Sequence, residues 1–121
     1  MKHLVANGVL PVSIDYRLCP GVSILDGPML DVRDAYIWTI DRLPSILLAR
    51  SIDIDPSRVG VVGWSTGGHL AMTLAWSLQD TSYVSPKAIL PFYSPVDFEN
   101  LCKQHTNIVR AQLTTGTIAR F

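Results

Sequence analysis

The apolar positions of this chain change period repeatedly, from helix-like to strand-like and back. Residues 1–7 read as the tail of a helix stopped at Asn7-Gly8. Val12–Tyr16 reads as a strand, with Pro11 at its start because proline cannot donate to a ladder. A long turn-rich loop follows, with Cys19-Pro20-Gly21 and Asp26-Gly27-Pro28. Pro28 suits the first turn of a helix, and Val32, Ala35, Tyr36, Ile40, Leu43 and Leu47 then repeat with a period of about 3.6. Pro44 interrupts that helix and predicts a kink or break. Asp53–Ser57 is a polar loop. The apolar run Val59-Gly60-Val61-Val62 predicts a strand buried on both faces. After the tight turn Gly63–Gly68, Leu70, Ala71, Leu74, Ala75 and Leu78 mark a helix through about Gln79. Ala88–Tyr93 is a further buried-strand candidate, followed by the loop Ser94–Asp97. From Asn100 to Phe121 there is no Asp or Glu and no clear period, so no element is assigned. Alternating strands and helices predict an α/β fold with a mostly parallel sheet flanked by helices.

Composition narrows the function classes. The chain has 121 residues, 48% apolar and 17% charged, with a net charge of zero. That length fits one domain at most, and the apolar content argues against disorder. Balanced charge leaves no electrostatic footprint for nucleic acid or an anionic membrane. No apolar run approaches the roughly 18–20 residues of a membrane span, and MKHLVANGVLPVS has no signal-peptide core, so a cytoplasmic protein is expected. The two cysteines, Cys19 and Cys102, make neither a disulfide framework nor a zinc set, and are expected to be free thiols. No metal or cofactor site is expected.

Chemistry concentrates in Gly63-Trp64-Ser65-Thr66-Gly67, a G-x-S-x-G between a predicted strand and a predicted helix. Glycines two residues before and after the serine let the strand and helix backbones approach. The Ser65 hydroxyl would then project as a nucleophile, with the Thr66 backbone N–H and the helix's positive end holding an oxyanion. Such a nucleophile needs a histidine base and an orienting acid. The competing reading is an ordinary strand-to-helix turn in which Ser65 caps the helix. A nucleotide-binding loop is a further alternative. The spacing Gly60, Gly63, Gly67 departs from G-x-G-x-x-G, and Gly60 lies inside the strand.

Longer segments resemble the α/β-hydrolases of the esterase/lipase group. Asp15-Tyr16-Arg17-Leu18-Cys19-Pro20 is similar to the D-Y-R-L-x-P segment of hormone-sensitive-lipase-like esterases. Ile54–Ala71 is similar to that group's fifth strand and nucleophile elbow. Asp31–Tyr36, Trp64–Met72 and Phe92–Glu99 look most like the C-terminal release domains of fungal non-reducing polyketide synthases, which cleave the thioester holding the product. The resemblance covers roughly residues 4–100 and implies a partial α/β-hydrolase core. Residues 1–99 would be the central part of that domain and 100–121 an unassigned tail. It implies a serine hydrolase of ester or thioester bonds, acting on a small molecule or on an acyl chain carried by a carrier protein.

The family's glycine-rich H-G-G segment would precede Met1, and its acid and histidine would follow later in the chain. No acidic side chain follows Glu99, and His105 is the only later histidine. The isolated chain is therefore expected to be a catalytically incomplete fragment, or a non-catalytic product or interaction module. Acid and base are unassigned, with Asp97 and His105 as candidates. Asp97 is equally readable as a loop cap, and His105 as a surface residue. His69, on the new helix, is expected to be structural, bonding backbone or a loop carboxylate. Arg17 is expected to pair with Asp15 or Asp34 and pin its loop. Trp38 and Trp76 are expected to pack, and Trp64 to pack or to line an acyl pocket.

Overall fold

The computed structural model describes residues 2–97, Asn100 and Lys103. The chain opens with helix α1 (Lys2–Ala6). It stops where the sequence predicts, because Gly8 adopts φ 72° and its N–H donates to the Val5 carbonyl at 3.0 Å. The Val9 N–H reaches the Leu4 carbonyl, completing the left-handed glycine cap.

The predicted strand at Val12–Tyr16 is not formed. These residues carry no strand pairing, and Val12 and Ile14 are exposed. A strand exists only through a partner that receives its backbone groups, and none among the described residues lies beside this segment. A side-chain clamp just beyond it ties the loop down. Arg17 pairs with Asp31, correcting the expectation of Asp15 or Asp34. Its guanidinium donates to both Asp31 oxygens, at 2.7 Å from Nη2 and 2.9 Å from Nε. Asp31 also accepts the Arg17 backbone N–H at 2.8 Å. Asp31 wins because it stands in the first turn of the following helix, whereas Asp34 pairs with Arg33. The bond to Arg17 holds the Asp31 carboxyl below the usual carboxylate range, and the same bond raises Arg17.

Helix α2 (Pro28–Asp41) begins on Pro28, as predicted, and α3 (Leu43–Leu48) follows after a break at Arg42. Pro44 causes the break, since it has no N–H to offer the Ile40 carbonyl. Strand β1 (Gly60–Trp64), helix α4 (Thr66–Ser77) and strand β2 (Ala88–Phe92) then form one β-α-β unit. The strands are parallel, with Gly60 opposite Ala88 and Trp64 opposite Phe92.

The core lies on one side of this sheet. Leu70, Leu74 and Leu78 are fully buried against Val32 and Tyr36 of α2, with Val59 and Val61 beneath. Burying each leucine stabilises the fold by about 1.5–3 kcal/mol. Burial also pushes the Tyr36 hydroxyl's pKa up, and that hydroxyl donates to the Val84 carbonyl at 2.7 Å. The expectation that the strands are buried on both faces is not met. Val62, Trp64, Leu90 and Phe92 are 46–56% exposed on the face away from α4. Because α2 packs on α4, the described helices of the core cover only one face.

Candidate active site

The strand-to-helix turn combines an unusual backbone conformation with close backbone approach. Ser65 sits between β1 and α4 at φ 52° and ψ −123°, a conformation that a non-glycine residue rarely adopts. It reverses the chain within a single residue, and only small neighbours survive the reversal. A Cβ on Gly63 would overlap the carbonyl of Gly67 and the nitrogen of Gly68. A Cβ on Gly68 would overlap Ser94 Oγ and lie 2.9 Å from the Gly63 oxygen. Gly67 differs, since a Cβ there would meet only the Tyr16 hydroxyl at 3.8 Å. The backbone of the motif's second glycine crowds Gly63, but its own Cβ position is open, and the glycine just outside the motif carries the tighter side-chain restriction.

The Ser65 hydroxyl makes no capping bond to α4, so the capping arrangement weighed from the sequence is not the one adopted. Its backbone is engaged instead. The Ser65 N–H donates to the Phe92 carbonyl at 3.0 Å, and the Ser65 carbonyl accepts from Gly68 at 3.0 Å and His69 at 3.2 Å. The N–H groups of Thr66 and Gly67 have no acceptor among the described residues. They form the positive end of α4 beside an exposed serine, an arrangement able to hold an anionic oxygen.

The loop after β2 closes against this turn. His69 Nδ1 lies 3.1 Å from the Pro95 carbonyl, which places the ring on backbone as the sequence reading expected. Ser94 fills the space left by Gly68. Between them and Phe92 stands Tyr93, which like Ser65 is a non-glycine residue at positive φ (39°). Asp97 follows, exposed, its carboxylate accepting the Asn100 N–H at 3.0 Å. The sequence reading missed Ser94 and Tyr93. The available signal was the glycine after the motif, which implies something packed against it. His105, Cys102 and Glu99 lie outside the described residues. Trp64, left open between packing and lining a pocket, stacks on Phe92 with ring centres 5.6 Å apart and stays half exposed. Trp38 and Trp76 are likewise about half exposed and lie outside the buried core cluster.

A concavity lined by Tyr36, Ile40, Pro56, Ser57, Tyr83 and Lys87 lies at the other end of the strands, away from Ser65. Among the described residues, no three His, Cys, Asp or Glu side chains gather as a metal set. No described helix is long and apolar enough to cross a membrane.

Comparison with known proteins agrees with this geometry. The alpha/beta hydrolase fold family model matches residues 2–121. The chain is 59% identical over 99 residues to the non-reducing polyketide synthase Preu6 of Preussia isomera, covering 82% of this chain and 4% of that protein. It is 55% identical over 99 residues to the non-reducing polyketide synthase atr1 of Stereocaulon alpinum, with the same 82% and 4% coverage. Against the non-reducing polyketide synthase ascC of Acremonium egyptiacum it is 53% identical over 98 residues, covering 81% of this chain and 5% of that protein. The chain thus spans only 4–5% of the length of these relatives. No solved structure matches it. The turn at Ser65, the β-α-β unit and the family match agree: the chain belongs to the alpha/beta hydrolase fold family.

Proposed function

We propose that this chain carries the nucleophile elbow of a serine hydrolase that cleaves an ester or thioester, and that its substrate is an acyl chain held by a carrier protein. The observation that carries the reading is Ser65 itself. It is held at φ 52° on the strand-helix turn, with its hydroxyl free of any capping bond and the unpaired Thr66 N–H beside it. Ser65 Oγ attacks the acyl carbonyl, and its proton passes to a general base. The Thr66 N–H and the start of α4 stabilise the tetrahedral oxyanion, the thiol leaves protonated, and water releases the acid from the acyl-enzyme. Acid and base are unassigned, and Asp97 and His105 are the candidates within the chain. The thioester substrate is supported by the similarity to non-reducing polyketide synthases. A cytoplasmic setting fits the exposed free thiol of Cys19.

The test is Ser65→Ala in the full-length polypeptide, assayed on an N-acetylcysteamine thioester. A fall in kcat/KM of at least about a thousandfold is expected. Unchanged turnover overturns the reading.

One observation favours a second reading. The apolar face formed by Val62, Trp64, Leu90 and Phe92 fits a non-catalytic interaction module, and the concentration dependence of the chain's mass in solution tests it.

A further inference from the structure

We propose that His69 is a positioning residue for the nucleophile turn: its bond to the Pro95 carbonyl clamps the loop after β2 onto the start of α4 and so keeps Ser65 in its reactive conformation. The inference rests on the reading of Ser65 as the nucleophile. Ser65 holds φ 52°, a conformation that persists only where its surroundings impose it. Its carbonyl is held from within α4, by the N–H groups of Gly68 at 3.0 Å and His69 at 3.2 Å. Its own N–H is held from β2, by the Phe92 carbonyl at 3.0 Å. The turn therefore depends on the end of β2 and the start of α4 keeping a fixed relation to each other.

His69 joins those two sides. Its backbone N–H lies on the Ser65 carbonyl, and its ring Nδ1 lies 3.1 Å from the carbonyl of Pro95, 26 residues along the chain. A carbonyl oxygen only accepts, so Nδ1 carries the proton. The bond reaches past the last paired residues, Trp64 and Phe92, where the ladder no longer fixes the chain. It also seats Ser94, which fills the space at Gly68 and whose hydroxyl donates to the same Phe92 carbonyl at 3.4 Å. Ser65, Phe92, Ser94, Pro95 and His69 thus close a circuit of contacts that begins and ends at the nucleophile. His69 acts through that circuit and not on the substrate. A displacement of about 1 Å imposed on reacting groups from elsewhere costs on the order of a hundredfold in rate.

Covalent labelling reads the geometry of the nucleophile whatever its natural acyl group. The probe is an alkyl fluorophosphonate, applied to the full-length polypeptide. Ser65 Oγ forms the bond to phosphorus, fluoride leaves, and the serine proton passes to the general base. His69→Phe keeps a ring and removes the donor, so kinact should fall about 10–100-fold while KI stays within about twofold. His69→Asn places an amide N–H where the Nδ1–H stood and should label within about threefold of the parent rate. Urea midpoints accompany each variant, and His69→Leu, a stronger helix former, repeats the test if the phenylalanine variant does not fold. Three results overturn the proposal: parent-like labelling in His69→Phe or His69→Leu, a loss that His69→Asn does not restore, or a loss that follows the folded fraction across the three variants. An unlabelled parent, or labelling that survives Ser65→Ala, defeats the serine reading and this proposal with it.

Discussion

Gly68 and Gly67 stand side by side at the start of α4, and one methyl group on each has opposite consequences. At Gly68 it would overlap Ser94 Oγ, which can rotate, and press on the Gly63 carbonyl, which cannot. Gly68→Ala is therefore expected to destabilise by about 1–3 kcal/mol and to displace the loop that carries Tyr93. At Gly67 the methyl meets only the Tyr16 hydroxyl at ordinary contact distance. Gly67→Ala is expected to be neutral or to stabilise by up to about 1 kcal/mol, since alanine favours a helix interior. Urea midpoints of the two variants check the contrast, and equal effects would refute it. Motif spacing revealed the serine because spacing is counted along the chain. It did not reveal Gly68's role, because the crowding atom comes from a loop beyond the next strand. The same reason misdirected the partner of Arg17. The charges are visible in the sequence, but the fold of the intervening loop decides which carboxylate meets the guanidinium. That ion pair sets a pH dependence. Folding lowers the Asp31 pKa, so the clamp's contribution is present above the ordinary carboxylate range and is lost as pH falls through the folded value. Between about pH 6 and pH 3 the melting temperature should fall more steeply for the parent than for Asp31→Asn. Parallel curves would show that the clamp contributes nothing.

At the scale of elements, the helices were the legible part. Pro28, Pro44 and Gly8 each determine a boundary through their own backbone chemistry, so α1, α2 and α3 end or begin where those residues stand. A 3.6-residue period needs no partner to be recognised, and the leucines of α4 were readable for that reason. Strands are different. Gly60–Trp64 and Ala88–Phe92 form because they pair with each other, whereas Val12–Tyr16, with its alternating apolar and polar residues, has no neighbour among the described residues. The β-α-β unit thus depends on α4 holding its two strands to a common core, and Leu70 is 0% exposed at the centre of that contact. Leu70→Ala should cost about 2–5 kcal/mol. Chemical denaturation reads this directly, and a cost below about 1 kcal/mol would mean that the helix does not carry the core.

The whole molecule presents an imbalance. A parallel sheet normally has both faces covered, yet here one face meets α4 and the other exposes Val62, Trp64, Leu90 and Phe92. Among the described residues, each of the two strands also has an open edge. Two strands with one bare apolar face are marginal alone, and hydrophobic burial favours covering that face. The 121-residue chain by itself is therefore expected to self-associate, with a mass by sedimentation that rises with concentration. Leu90 points into the bare face at 51% exposure, so Leu90→Lys should reduce association while leaving helix content unchanged. An unaltered association in that variant would move the contact from the sheet face to the strand edges, which carry backbone groups that a lysine on the face does not block. A chain that stays monomeric at high concentration would remove the observation behind the interaction-module reading.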